Sequence, residues 1–171
     1  MPVPTAGRYR IDLTRTTVRF HTRHMLGLGR VSGTLRVRKA DLTMADSLSS
    51  STLHVVLDAA SFNTGNPKRD TAVRSAKYLD VAAFPDITFD SQEIRREDGK
   101  WVVIGTVTAH GVASPADLSV DEIRDNAGEL TMRATTKIDR YAHHVTAGKG
   151  LAARWLTVEI TATVVPQQAG G

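Results

Sequence analysis

Apolar and polar residues alternate through most of this chain. Tyr9, Ile11 and Leu13 alternate with Arg10 and Asp12, and Val18 and Phe20 with Thr17 and Arg19. Val31, Gly33, Leu35 and Val37 share one face of a segment whose other face carries Arg30, Ser32, Thr34, Arg36 and Arg38. A period of two marks a strand with one side against a core. The same reading applies to Leu53–Asp58, Ile87–Ile94, Trp101–Ala109, Pro115–Ile123, Leu130–Thr136 and Trp155–Val165. In the last two, Leu130, Met132, Ala134 and Thr136 oppose Thr131, Arg133 and Thr135, and Leu156, Val158 and Ile160 oppose Trp155, Thr157 and Glu159. Turns are predicted at Gly27-Leu28-Gly29, Glu97-Asp98-Gly99-Lys100, Gly111–Ser114 and Asp125-Asn126-Ala127-Gly128. Ala40–Ser50 reads as a small, polar connection, His143–Gly150 as an irregular loop and Gln167–Gly171 as a tail. About eight closely spaced strands imply an antiparallel barrel or sandwich.

One segment breaks the period. Asn66-Pro67 is a helix entry, with Asn at the cap and Pro at the first helical position. Ala72, Val73, Ala76 and Leu79 then recur at helical spacing, which predicts one helix near residues 67–77 with an apolar face. Phe84-Pro85 is the expected stop, because a residue before proline is pushed out of the α region. A helix of this size can seal one end of a closed sheet.

With 171 residues the chain is expected to form a single domain, 1–171, with its core over about 8–165. A chain of this size buries roughly 70% of its unfolded surface. It has no cysteine, so disulfides and thiolate metal sites are excluded. The N-terminal segment has no apolar core of a secretory signal, and no run approaches the ~18 apolar residues of a membrane span. Both features lead to an expected cytoplasmic location. Charge is uneven: of the 22 lysines and arginines, Arg8, Arg10, Arg15, Arg19, Arg23, Arg30, Arg36, Arg38 and Lys39 fall in the first 40 residues, where Asp12 is the one acid. These are either solvent-facing strand positions or a basic surface for an anionic headgroup, diphosphate or membrane face. Nucleic acid is a poor partner, because the arginines alternate with apolar residues and no binding motif is present.

The wording of several segments is more specific than their pattern. Arg69-Asp70, Val73-Arg74-Ser75, Tyr78-Leu79-Asp80 and Phe84-Pro85-Asp86-Ile87-Thr88-Phe89-Asp90-Ser91 follow one another in order. Val18-Arg19-Phe20, His24 and Gly33-Thr34-Leu35 precede them, as does Asp58-Ala59-Ala60-Ser61-Phe62-Asn63-Thr64. Gly105-Thr106-Val107-Thr108-Ala109-His110-Gly111-Val112 and Ile138-Asp139-Arg140 follow. Together they resemble the YceI-like family, lipocalin-like barrels described as binding polyisoprenoids and related lipids. The resemblance covers about residues 8–165. It implies an eight-stranded antiparallel lipocalin-like barrel, all-β with one short helix, that carries or sequesters a polyisoprenoid, quinone or related lipid. It also departs from the family at Tyr141-Ala142-His143-His144, where members often carry a Phe-Gly pair.

Eight strands closed on themselves leave room for side chains or for one small ligand. Composition alone leaves a filled core and a hollow one open; the resemblance favours a hollow one. The expected lining residues are Val18, Phe20, Leu35, Val55, Phe84, Phe89, Val107, Met132 and Val158, with His24 and Arg140 as polar groups at the mouth. His21 and His24 lie an odd number of residues apart on a strand, hence on opposite faces, which disfavours chelation. His143-His144 reads as a solvated loop pair or as part of a metal or headgroup site; zinc would need a third partner, and none is assignable. His110 reads as a structural residue of a turn. Asp70 with Arg69 or Arg74, and Asp139 with Arg140, are candidate ion pairs. No nucleophile elbow, phosphate loop or dinucleotide fingerprint occurs. No cofactor and no metal are expected beyond the apolar ligand. The competing readings are a barrel-cavity enzyme, a cyclase or isomerase acting on an apolar metabolite, and a plain interaction module. Association into a homodimer stays open.

Overall fold

The computed structural model describes residues 2–24, 29–149 and 152–168. Eight strands run in chain order: β1 Gly7–His24, β2 Gly29–Met44, β3 Thr52–Asn63, β4 Asp86–Glu97, β5 Lys100–Ala109, β6 Val112–Asn126, β7 Glu129–Asp139 and β8 Trp155–Pro166. Each pairs antiparallel with its sequence neighbour, and β8 returns to β1, so the sheet closes into a barrel. Closure gives every strand a neighbour on both sides, so none of the eight is an edge strand. The connections fall into two sets. At the upper rim lie the β1–β2 and β5–β6 connections, the long β3–β4 segment and the β7–β8 segment. At the lower rim lie the β2–β3, β4–β5 and β6–β7 connections and both ends of the barrel.

The helix α1 spans Pro67–Arg74 in the β3–β4 segment, at the upper rim. Asn66 caps it, its side chain accepting from the Arg69 amide. It is shorter than expected. The Ser75 hydroxyl donates to the Ala72 carbonyl at 2.5 Å, and the Ser75 amide bonds the same residue. Such local bonding competes with the next helical turn, and the chain then continues in turns through Ala83. The expected apolar face is only half present, because Ala72 and Ala76 are exposed.

Other boundaries differ as well. Ala40–Ser50 is not all connection: β2 runs on to Met44, with Leu42 and Met44 buried, and a 3₁₀ turn at Leu48–Ser50 follows. The turn expected at Gly111–Ser114 is the tighter pair His110-Gly111, both at positive φ, and β6 starts at Val112. Leu13 is exposed because the β1 register shifts on both sides, between Arg10 and Val18 against β2 and between Asp12 and Thr17 against β8. Gly27 and Leu28 of the first expected turn, and the side chain of His24, lie outside the described residues.

The lower half of the barrel is filled. Tyr9, Ile11, Leu42, Met44, Phe89, Ile94, Trp101, Val103, Val120, Ile123, Leu130 and Val164 form one buried cluster, with Leu48 of the 3₁₀ turn packed against it. The Ser51 hydroxyl, itself buried, accepts from the Ala45 amide and fixes this floor segment.

Candidate functional site: a hollow upper barrel

Above the floor the barrel is hollow. Leu35, Val37, Val55, Leu57, Val107, Met132, Ala134, Leu156, Val158 and Ile160 point inward yet are only half-buried, because they border a cavity of about 690 Å³. That volume lies within the range of about 300–1,000 Å³ found for small-molecule sites. The walls are aliphatic, with the rings of Phe20, Phe62 and Phe89 as the aromatic wall and Trp101 at the bottom. Among the described residues, no aspartate or glutamate lines the space.

Two glycines keep it open. Phe20 pairs across the ladder with Gly33, where an added Cβ would lie 2.5 Å from the Phe20 ring and 2.5 Å from the Asn63 carbonyl oxygen. Gly105 of β5 lies under the Phe89 ring in the same way. Each ring therefore lies back against a bare backbone on the next strand instead of reaching across the lumen. Phe20 also stacks on Phe62, with centroids 4.9 Å apart.

Of the residues singled out from sequence, Val18, Phe20, Leu35, Val55, Phe89, Val107, Met132, Val158 and Arg140 border the cavity. Phe84 does not. It packs edge-on to His110 at 5.1 Å and covers Gly111, closing the upper rim from outside the lining. His24 cannot be placed, its side chain being undescribed. Arg140 borders the cavity, but its guanidinium is committed to backbone. It donates to the carbonyls of Val145, Ala147, Ala152 and Ala153 at 2.7–3.1 Å and lies 4.9 Å from the Tyr141 ring. Arg140 is thus the clasp of the β7–β8 segment rather than a free cation at the mouth.

The expected ion pairs are replaced by others. Asp139 pairs with Arg154, not Arg140, at 2.6 Å, and also accepts from the Tyr141 amide. The Arg154 bond and the amide together hold its carboxyl below the usual carboxylate range. Asp70 is buried at the helix start and accepts from the Thr64 amide and hydroxyl, while Arg74 donates to the Phe62 carbonyl. His143 is not a solvated loop residue. It is 3% exposed, borders the cavity, and its Nδ1 bonds the Val112 carbonyl at 2.8 Å. Its own carbonyl accepts from His110 at 3.1 Å, so the two histidines tie the β5–β6 turn to the β7–β8 segment. Among the described residues no three His, Asp or Glu side chains converge as a metal site.

The N-terminal cations are largely strand-surface groups. Arg15 bonds Asp12 and Glu129, Arg36 and Arg38 reach Asp58, and Lys39 reaches Asp41. Sequence reasoning missed several polar groups of the upper lining: Thr22, Arg23, Arg69, Lys77 and Tyr78. A signal for one of them was present. Arg69 and Val73 are spaced four apart, so a helix that turns Val73 inward brings Arg69 to the same side, while Lys77 lies past the helix end and is brought there by the turns that follow.

Comparison with known proteins agrees with this architecture. The profile of the YceI-like domain matches residues 9–165. Protein YceI of Salmonella arizonae is 31% identical over 116 residues, a match that takes in 66% of this chain and spans 60% of that relative's length. BcnA of Burkholderia cenocepacia superposes with a TM-score of 0.81 at 21% identity, over 90% of this chain and 99% of that one. A polyisoprenoid binding domain from Saccharophagus degradans, implicated in plant cell wall breakdown, gives 0.67 at 16% identity over 95% and 100%. The YceI protein of Campylobacter jejuni gives 0.67 at 21% over 85% and 90%. At these identities the solved structures attest the fold.

Proposed function

The chain belongs to the YceI-like domain family, and from that premise we propose that it binds one long apolar molecule, a polyisoprenoid, quinone or related lipid, inside the barrel. The observation that carries the reading is the aliphatic cavity of about 690 Å³ above a closed floor. The Saccharophagus neighbour, named for polyisoprenoid binding, supports the choice of ligand class.

The hydrophobic effect supplies the mechanism. Each methylene moved from water into the lumen contributes about 0.8 kcal/mol. Association itself costs roughly 4–15 kcal/mol in lost translation and rotation. Ten buried methylenes, worth about 8 kcal/mol, therefore do little more than offset that cost. Useful affinity needs a longer tail, which is why a deep lumen rather than a shallow groove suits this chemistry. Carriage or sequestration follows from enclosure: the upper rim, crossed by α1 and the β7–β8 segment, governs entry. Binding is favoured over turnover because the lining offers no carboxylate among the described residues.

Native mass spectrometry of protein purified without detergent tests the reading. Co-purified prenyl or acyl species, or uptake of added polyprenols and quinones, is the expected result. A ligand-free protein that ignores both additives refutes it.

A further inference from the structure

Resting on that reading, we infer that the ligand is an amphiphile with an anionic head, a carboxylate or a phosphate, held at the upper rim by Arg69, Lys77 and Tyr78. The lining is sharply divided. Its lower and middle parts are aliphatic and aromatic, and its charged residues are Arg23, Arg69, Lys77 and Arg140. All four lie at the upper rim: Arg23 one residue from the end of β1, Arg69 and Lys77 in the β3–β4 segment, and Arg140 directly after β7. None of the charged lining residues is acidic.

The four are not equivalent. Arg140 is consumed by four backbone carbonyls. Arg23 borders both the cavity and a shallow surface groove beside Trp155, so it adds positive potential without commitment to the lumen. Arg69 is half-buried, and its Nε donates to the Thr64 hydroxyl at 2.9 Å. That hydroxyl in turn donates to Asp70 at 2.6 Å, which fixes the guanidinium stem. Asp70 turns its carboxylate into the Thr64 amide, away from the lining, so the outer guanidinium nitrogens of Arg69 have no carboxylate partner among the described residues. Lys77 is exposed and likewise unpaired among them. Tyr78 lines the cavity too; its hydroxyl lies where a Cβ on Gly148 would meet it at 2.8 Å and has no hydrogen-bond partner among the described residues.

Arg69 and Lys77 are donors only, and the Tyr78 hydroxyl can donate as well. A quinone carbonyl or an alcohol would satisfy one of them and leave two positive charges unmatched. An anionic head satisfies all three, and charge-assisted bonds are about twice as strong as neutral ones. The head stays at the wet rim, so the tail enters the dry lumen without carrying charge into it.

The experiment compares myristate, tetradecyl phosphate and tetradecanol by calorimetric titration at low and high salt. The acids are expected to bind at least about ten-fold more tightly than the alcohol at low salt, and the advantage to shrink as salt screens it. Whichever acid binds better identifies the head. Lys77→Gln, at an exposed position that leaves the fold undisturbed, should lower the acid-to-alcohol ratio, and Arg69→Gln should lower it further. Equal binding of acids and alcohol, or a ratio indifferent to Lys77→Gln, overturns the inference while leaving the hollow-barrel reading intact. Failure of all three to bind overturns both.

Discussion

A plug at mid-height should shorten the longest tail that the barrel accepts. Leu156 and Val164 on β8 both border the lumen, eight residues apart. At about 3.4 Å per residue and a strand tilt of about 40°, Leu156 at the rim stands about 20 Å above Val164 in the floor cluster. Ala134 on β7 pairs with Ile160, midway between them. Ala134→Trp places an indole across the hollow where there is room for it, so the usual overpacking cost is avoided. In the unmodified protein, affinity for a homologous series of alkanols should rise about four-fold per methylene, the equivalent of 0.8 kcal/mol, until the tail meets Trp101. In the variant the rise should stop at about half that length. If about five methylenes are expelled, the longest ligand loses about 4 kcal/mol, close to 1,000-fold in affinity. Calorimetry reads both the affinity and the negative heat-capacity change that marks apolar burial. A folded variant, with unchanged circular dichroism and melting point, that still binds the longest alkanol as tightly as the parent would refute a tail lying along the axis.

Three further outcomes concern stability and are read by thermal melting. The Thr136 hydroxyl is buried without a hydrogen-bond partner among the described residues, so Thr136→Val should stabilise by about 1 kcal/mol, raising the midpoint by about 2–4 °C; a lower midpoint would show that the hydroxyl is satisfied in solution. Arg140→Leu strands four carbonyls and should cost at least about 3 kcal/mol, or about 6–12 °C, and Arg140→Lys should rescue little because an ammonium lacks the guanidinium fork; full rescue by lysine would contradict the clasp. Because folding lowers the Asp139 pKa, its contribution is complete above the unfolded value of about 3.9 and is lost as pH falls through the lower folded value. The gap in midpoint between the parent and Asp139→Asn should therefore be widest near neutrality and close in acid; a gap that widens on acidification would reverse the assignment.

Strand parity was the most legible part of the fold. Leu130, Met132, Ala134 and Thr136, and Leu156, Val158 and Ile160, all face inward as their period of two implies. Parity failed where side chains intervene in the ladder. Asp12 accepts from the Thr14 amide and hydroxyl, and Leu13 between them is turned to solvent. Such bonding slips the register, and one slipped residue exchanges the faces. At Ala40–Ser50 small polar residues masked an alternation of Ala40, Leu42 and Met44 that was there to be read. The site was legible in its walls and much less so at its rim. Phe84, expected in the lining, packs instead on the turn at His110-Gly111, which lies far along the chain. His143 departs from the solvated-loop reading for the same reason, since the carbonyl that holds it belongs to Val112. Contacts of that span are fixed by closure of the barrel, which no local window contains.

Both ends of the barrel leave from beneath the floor. Tyr9 pairs with Pro166, and the Gln167 amide returns to the Arg8 carbonyl at 2.8 Å, so the first and last strands finish side by side on the face opposite the entrance. An affinity tag, a dye or a surface tether joined at either terminus would thus hang below the vessel. Molecules fixed to a sensor chip through such a tether would all stand with their openings toward the flowing solution.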